Sequence, residues 1–134
     1  MASVFSKIIS KEIPCYKIAE TDTSIAFLDI FPIQKGHLLV IPKKEVNNLF
    51  DLDNENYISL MFFTKRVAKA LEKTIPCVKV GVSVIGLEVP HAHIHLIPIN
   101  SIDDMNFNTE KLKFSSDEFN QMAKEIASNY NKLT

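Results

Sequence analysis

Three of the four histidines stand at every second position of Val89-Pro90-His91-Ala92-His93-Ile94-His95-Leu96-Ile97-Pro98. Imidazole titrates near neutral pH, so a group of them can attack, donate and accept within one site. Alternation with small and aliphatic neighbours reads as a strand over about 89–98, in which residues two apart share a face. His91, His93 and His95 then form a row, while Ala92, Ile94 and Leu96 point into a core. A strand rises about 3.3 Å per residue, so neighbouring members of the row lie about 6 to 7 Å apart. That spacing lets one imidazole attack a phosphorus while its neighbours hold the surrounding oxygens.

Three uses of such a row compete. A structural strand with incidental histidines would need a separate polar partner for each buried ring. A zinc site is open to two adjacent same-face histidines, but the outer pair is about 13 Å apart and a third ligand must come from elsewhere. His37 is the remaining histidine that could supply it. Nucleophilic catalysis by the central imidazole, with the others handling protons and phosphate oxygens, is the third.

The elements that would position the row can be read in chain order. Phe5, Ile8 and Ile9 have a short helical spacing that ends before Ile13-Pro14. A short strand is expected from Tyr16 to Ala19, and a stronger one over residues 24–30, where Asp29 is an odd carboxylate among Phe27, Leu28 and Ile30. Gly36-His37-Leu38-Leu39-Val40-Ile41-Pro42 is an apolar run bounded by glycine and proline, the pattern of a strand buried on both faces. Asp53 caps a long helix reaching about Lys73, whose expected core-facing stripe is Ile58, Met61, Phe62, Ala68 and Leu71. Residues 78–85 alternate and would ladder beside the histidine strand, turning at Gly86-Leu87-Glu88. Ser115 and Glu118 form a capping box for a last helix over about 116–131, with Phe119, Met122, Ala123, Ile126, Ala127 and Tyr130 on one face. No repeat or linker divides residues 1–134, so one α+β domain with a mostly antiparallel sheet is expected.

Composition narrows the class further. A chain of 134 residues with 46% hydrophobic and 23% charged residues matches a globular domain with a real core. A net charge of -1 gives no electrostatic reason to expect nucleic acid or an anionic membrane as partner. Two cysteines, Cys15 and Cys77, make neither a metal cluster nor a disulfide framework, and a cytoplasmic setting is expected. There is no apolar run of membrane-spanning length.

The triad stretch His91-Ala92-His93-Ile94-His95-Leu96-Ile97 resembles the signature of the histidine triad (HIT) family, His-φ-His-φ-His-φ-φ with φ hydrophobic. Segments 5–14, 25–30 and 35–44 resemble family segments too, in the family's order. The resemblance implies an α+β HIT-like fold with a five-stranded sheet, a long central helix and a C-terminal helix. It also implies a homodimer across which the sheet continues, binding a purine nucleotide or nucleotide conjugate. The family attacks the α-phosphate. His93 resembles the nucleophile that is transiently nucleotidylated, and His95 the residue that contacts the phosphate and leaving group. His91 resembles the first triad member, whose backbone carbonyl orients the nucleophile, and His37 the auxiliary histidine. Asp29 matches the carboxylate that hydrogen-bonds the ribose hydroxyls. Val4, Phe5, Ile8, Ile13, Phe27 and Ile30 match the apolar wall around the base.

The departures from the family pattern bear on metal and substrate. Many relatives bind a structural zinc through two cysteines, a later histidine and the first triad histidine. The corresponding positions here resemble Ser3, Ser6, Glu45 and His91, so no metal and no cofactor are expected. An asparagine and a Gly-Gln turn contact phosphate in relatives. Ser83 stands near the first and Leu87 replaces the glutamine, so turnover is expected to be weaker or directed to a different leaving group. The expectation is a Hint-like nucleotide hydrolase or transferase of the phosphoramidase type. The alternatives are a dinucleoside polyphosphate hydrolase and a nucleotide-binding protein with weak or lost catalysis.

Overall fold

The computed structural model describes residues 3–134. The expected domain, 1–134, extends over Met1 and Ala2, which lie outside the described residues. Helix α1 (Val4–Ile9) opens the described chain, capped by Ser3, whose hydroxyl accepts from the Ser6 N–H at 3.1 Å. Strands β1 (Lys17–Glu20), β2 (Ser24–Leu28) and β3 (Leu38–Pro42) follow, then helix α2 (Asn54–Thr74). Strands β4 (Lys79–Ser83) and β5 (Ile94–Ile99) and helix α3 (Ser116–Asn131) complete the order. The five strands form one antiparallel sheet in the order β1-β2-β3-β5-β4. This is the expected α+β architecture.

Period-two alternation divides the sheet into two faces. Ala26, Leu28, Leu38, Val40, Ile94 and Leu96 meet α2 and α3 in the main core, together with Ala92 just before β5. Ile25, Phe27, Leu39 and Ile41 face the other way and pack with Phe5 of α1. Leu39 is the register partner of His95, so His95 belongs to this second, thinly covered face. That face presents the His95 side chain.

Two expectations need correction. The histidine strand begins at Ile94, so His91 and His93 precede the ladder. Pro90 has no N–H to give a neighbour, and the Ala92 N–H donates to the Val46 carbonyl at 2.7 Å, which holds this approach off β3. The stripe expected on α2 holds at Ala68 and Leu71 but is misphased in the first half of the helix. Leu60, Phe63, Thr64, Val67, Ala70 and Leu71 are the buried residues, whereas Ile58 and Phe62 are 66% and 62% exposed. Met61 and Phe50 are exposed as well. The helix has two apolar faces, and the sheet takes the one beginning at Leu60.

Gly36 fixes the entry to β3. Its φ is +88°, and a Cβ there would lie 2.8 Å from Ile75 Cγ1 at the end of α2. Among the described residues no helix is long and apolar enough to cross a membrane.

Candidate active site

His93 is the best-placed attacking group. Its Nδ1 lies 2.8 Å from the His91 carbonyl oxygen, which can only accept, so Nδ1 carries the hydrogen. In the neutral ring the lone pair is therefore on Nε2. Among the described residues Ser24 Oγ is the one sealed side-chain polar atom without a partner, so Nε2 of His93 opens onto solvent-accessible space. Phe5 holds the ring edge-on with centroids 4.9 Å apart.

The tautomers of the other rings follow from the same bookkeeping. The Ile33 N–H donates to His37 Nδ1 at 3.1 Å, so His37 bears its hydrogen on Nε2. That Nε2 lies 2.9 Å from His95 Nδ1 and 3.5 Å from Asp29 Oδ2. His37 donates, His95 Nδ1 accepts, and His95 is left with its N–H at Nε2. Burial pushes His37 down to about 4, with the nearby Lys111 cation adding to the shift. Burial likewise takes His95 to about 4, aided by His37 and His93 and opposed by Asp29. With His37 neutral, its contact with Asp29 is a long hydrogen-bond approach and not an ion pair. The two rings form a fixed, uncharged donor chain ending at His95 Nε2.

His91 has a different job. Its side chain is fully buried, with Nε2 donating to the Pro42 carbonyl at 2.7 Å and Nδ1 lying 3.2 Å from Ser3 Oγ. The imidazole ties the end of β3 to the start of α1, while its backbone carbonyl faces His93.

His93 and His95, but not the buried His91, line a cavity of about 540 Å³, of the size that takes a small ligand. Val4, Phe5, Ile8, Ile13, Phe27 and Ile30 all contribute to its wall, as do Asp29, His37, His93 and His95. Asp29 Oδ1 accepts from the Phe31 N–H at 2.8 Å, which steadies the carboxylate at the cavity edge. Ser83 is the register partner of His95 but does not line the cavity. Sequence reasoning missed Phe107 and Lys111, which do. Phe107 stacks edge-on against His95 with centroids 4.9 Å apart, from a stretch whose polarity gave it no strand or helix signal.

Two donor sets can be tested for a metal. Asp29, His37 and His95 bring one ligand atom each within 4.8 Å of one another. A metal on His37 Nε2 would require the imidazolate, because Nδ1 is already accepting from Ile33, so this set does not fit. Ser3, Ser6, Glu45 and His91 do gather: the Ser3 N–H donates to Glu45 Oε1 at 3.2 Å, and Ser3 Oγ lies 3.3 Å from Ser6 Oγ. Hydroxyls are poor zinc ligands beside thiolate and imidazole, so this cluster suits hydrogen bonding and not a structural zinc.

Comparisons with known proteins agree with the geometry. The HIT domain family model matches residues 10–102. The adenosine 5'-monophosphoramidase hnt1 of Schizosaccharomyces pombe is 34% identical, with 96% of this chain and 98% of that protein covered. The adenosine 5'-monophosphoramidase HNT1 of Saccharomyces cerevisiae is 43% identical over 72% of this chain and 62% of its own length. A crystal structure of a Hit-like protein from Bartonella henselae, 31% identical, superposes with a TM-score of 0.82 over 95% of each chain. The triad, the sheet that presents it and these likenesses converge: the chain belongs to the HIT domain family.

Proposed function

We propose that this protein is a nucleotide hydrolase or transferase acting at the α-phosphate of purine nucleotide conjugates of the adenosine phosphoramidate type. The observation that carries the reading is the 2.8 Å contact from His93 Nδ1 to the His91 carbonyl, which leaves Nε2 as a free lone pair at the cavity. Relatives named adenosine 5'-monophosphoramidase support the substrate class. The apolar wall from Val4 to Ile30 receives the base, and Asp29 receives the ribose hydroxyls. His95 Nε2–H, held in place by His37, donates to the phosphate oxygens, where charge develops.

In the first step the His93 Nε2–P bond forms and the P–N bond breaks. The departing nitrogen keeps the bonding pair and takes up a proton drawn from solvent. Water then attacks phosphorus, the Nε2–P bond breaks, and the water's proton returns to solvent. Two moderate displacements replace one difficult one. No group beyond the chain and water enters either step.

The test is turnover of an adenosine phosphoramidate by wild type and His93→Ala, with acid-quenched mass spectrometry of the wild-type protein. Loss of about 10³-fold or more in rate, and a nucleotidyl adduct mapping to His93, are expected. Equal rates for the two proteins overturn the assignment. A second reading, nucleotide binding with faded catalysis, is favoured by Leu87, which is 89% exposed and has no donor to offer a phosphate. Tight nucleotide binding with no adduct would select it.

Pairing into a homodimer is part of the proposal. Edge strand β4 has one neighbour, β5, and exposes Val82, while α2 beside it exposes Ile58 and Phe62. Joining two copies along β4 would continue the sheet and cover these side chains.

A further inference from the structure

Helix α1 supplies Val4, Phe5 and Ile8 to the cavity wall, yet Phe5 is the one side chain it buries. Phe5 packs edge-on against His93, with centroids 4.9 Å apart, and against Phe27 at 5.8 Å. Apolar burial is not directional, so this contact alone does not fix the angle at which so short a helix sits. Hydrogen bonds to distant parts of the chain do so at its N-terminus. Nε2 of His91 donates to the Pro42 carbonyl at 2.7 Å, so in the neutral ring Nδ1 can only accept. The Ser3 hydroxyl, 3.2 Å away, therefore gives its hydrogen to Nδ1, and its oxygen accepts from the Ser6 N–H at 3.1 Å. The Ser3 N–H donates to Glu45 Oε1 at 3.2 Å. The Ser6 hydroxyl and the Ser3 N–H hold the Glu45 carboxyl below its usual range, as donors to the ionised form do. The bond between Ser3 and His91 is buried, where water does not readily replace it. None of Ser3, Ser6, Glu45 and His91 lines the cavity, so whatever they do for a ligand passes through α1.

We propose that Ser3, Ser6 and Glu45 are positioning residues for nucleotide recognition, latching α1 to the His91 ring so that Phe5 stands against His93 as part of the base wall. The inference rests on the reading above, in which that wall receives the base. His91 then serves both halves of the site. Its backbone carbonyl orients the attacking ring, and its side chain sets the helix that frames the base. The bond from His93 to that carbonyl does not pass through α1. Releasing the latch therefore weakens binding more than it slows the chemical step.

The test compares Glu45→Ala, which alters an exposed side chain, and Ser3→Ala with wild type. Glu45→Gln is the conservative variant, since it keeps a carbonyl oxygen for the Ser3 N–H. Val67→Ala, in the core on the other face of the sheet, loosens the fold without touching α1. The ring current of Phe5 acts on the His93 ring protons, so their NMR shifts report the placement of α1 with no ligand present, and Phe5→Leu marks its full loss. Both alanine variants should move these resonances toward their Phe5→Leu positions. They should also raise KM for an adenosine phosphoramidate, and the Kd of AMP by calorimetry, about tenfold, the scale of one lost hydrogen bond. Their kcat should stay within about threefold of wild type. Glu45→Gln should recover most of the affinity, and Val67→Ala should leave both resonances and affinity in place. Unmoved His93 resonances or undiminished AMP affinity in both alanine variants would overturn the latch. An equal change in Val67→Ala, the mark of general loosening, would do the same. If wild type turns over no phosphoramidate the hydrolase reading fails, while a fall in AMP affinity in the two variants still upholds the latch. A wild type that binds no AMP overturns the latch as a device for nucleotide recognition.

Discussion

At the scale of single residues, the four histidines divide into three kinds of work, and the hydrogen-bond partners decide which. His91 illustrates the division most sharply. Its backbone orients His93 while its ring braces Pro42 and Ser3. His91→Ala should therefore cost about 2 to 4 kcal/mol of stability, through a cavity and an unpaired Pro42 carbonyl, while the folded protein keeps most of its kcat. Denaturant unfolding and steady-state kinetics on the same preparation check both halves. His37 and His95 make a pH prediction. Their ordinary value is 6.5 and burial brings both to about 4, so the unfolded chain binds more protons between those limits. The stability that comes from keeping them neutral is complete above about pH 6.5 and is lost as the pH falls toward 4, on the order of a few kcal/mol. Thermal midpoints measured across that window should fall with acid, and His37→Gln should flatten the slope. His93 and His95 stood out as polar groups alternating with aliphatic neighbours, whereas His37 and Asp29 were singled out by the family resemblance. Lys111 was not, since a lysine in a polar stretch has no local mark of facing inward.

Elements were legible where a local cause fixes them. The Asp53 cap of α2 and the Ser115–Glu118 box of α3 depend on near neighbours, and both form. The phase of α2 was not legible. Apolar residues clothe both Ile58–Met61–Phe62 and the Leu60–Phe63–Val67 side, and only the sheet decides between them. Phe63→Ala should cost about 3 to 5 kcal/mol, whereas Phe62→Ala in the monomeric chain should stay within about 0.5 kcal/mol. Urea titrations at low protein concentration would expose a reversed order. The start of β5 was misread for a related reason. Alternation continues through His91 and His93, but the Val46 carbonyl takes the N–H that a ladder would need.

For the whole molecule, the unpartnered β4 edge and the outer face of α2 lead to a prediction about assembly. Val82→Lys, which puts a charge on the edge strand, should shift the chain from dimer to monomer in sedimentation velocity. A monomeric wild type at high concentration would refute the pairing. The family likeness made the sheet and the triad face legible over about residues 5–98, and the HIT domain family model matches residues 10–102. Phe107 and Lys111 lie beyond that span, yet the Leu112–Pro32 bond brings their stretch back over the histidines. The histidines and part of the cavity wall they face are thus supplied by separate lengths of chain. Exchanging the stretch after β5 between two relatives would be expected to reshape that wall while leaving the hydrogen bonds among the histidines in place.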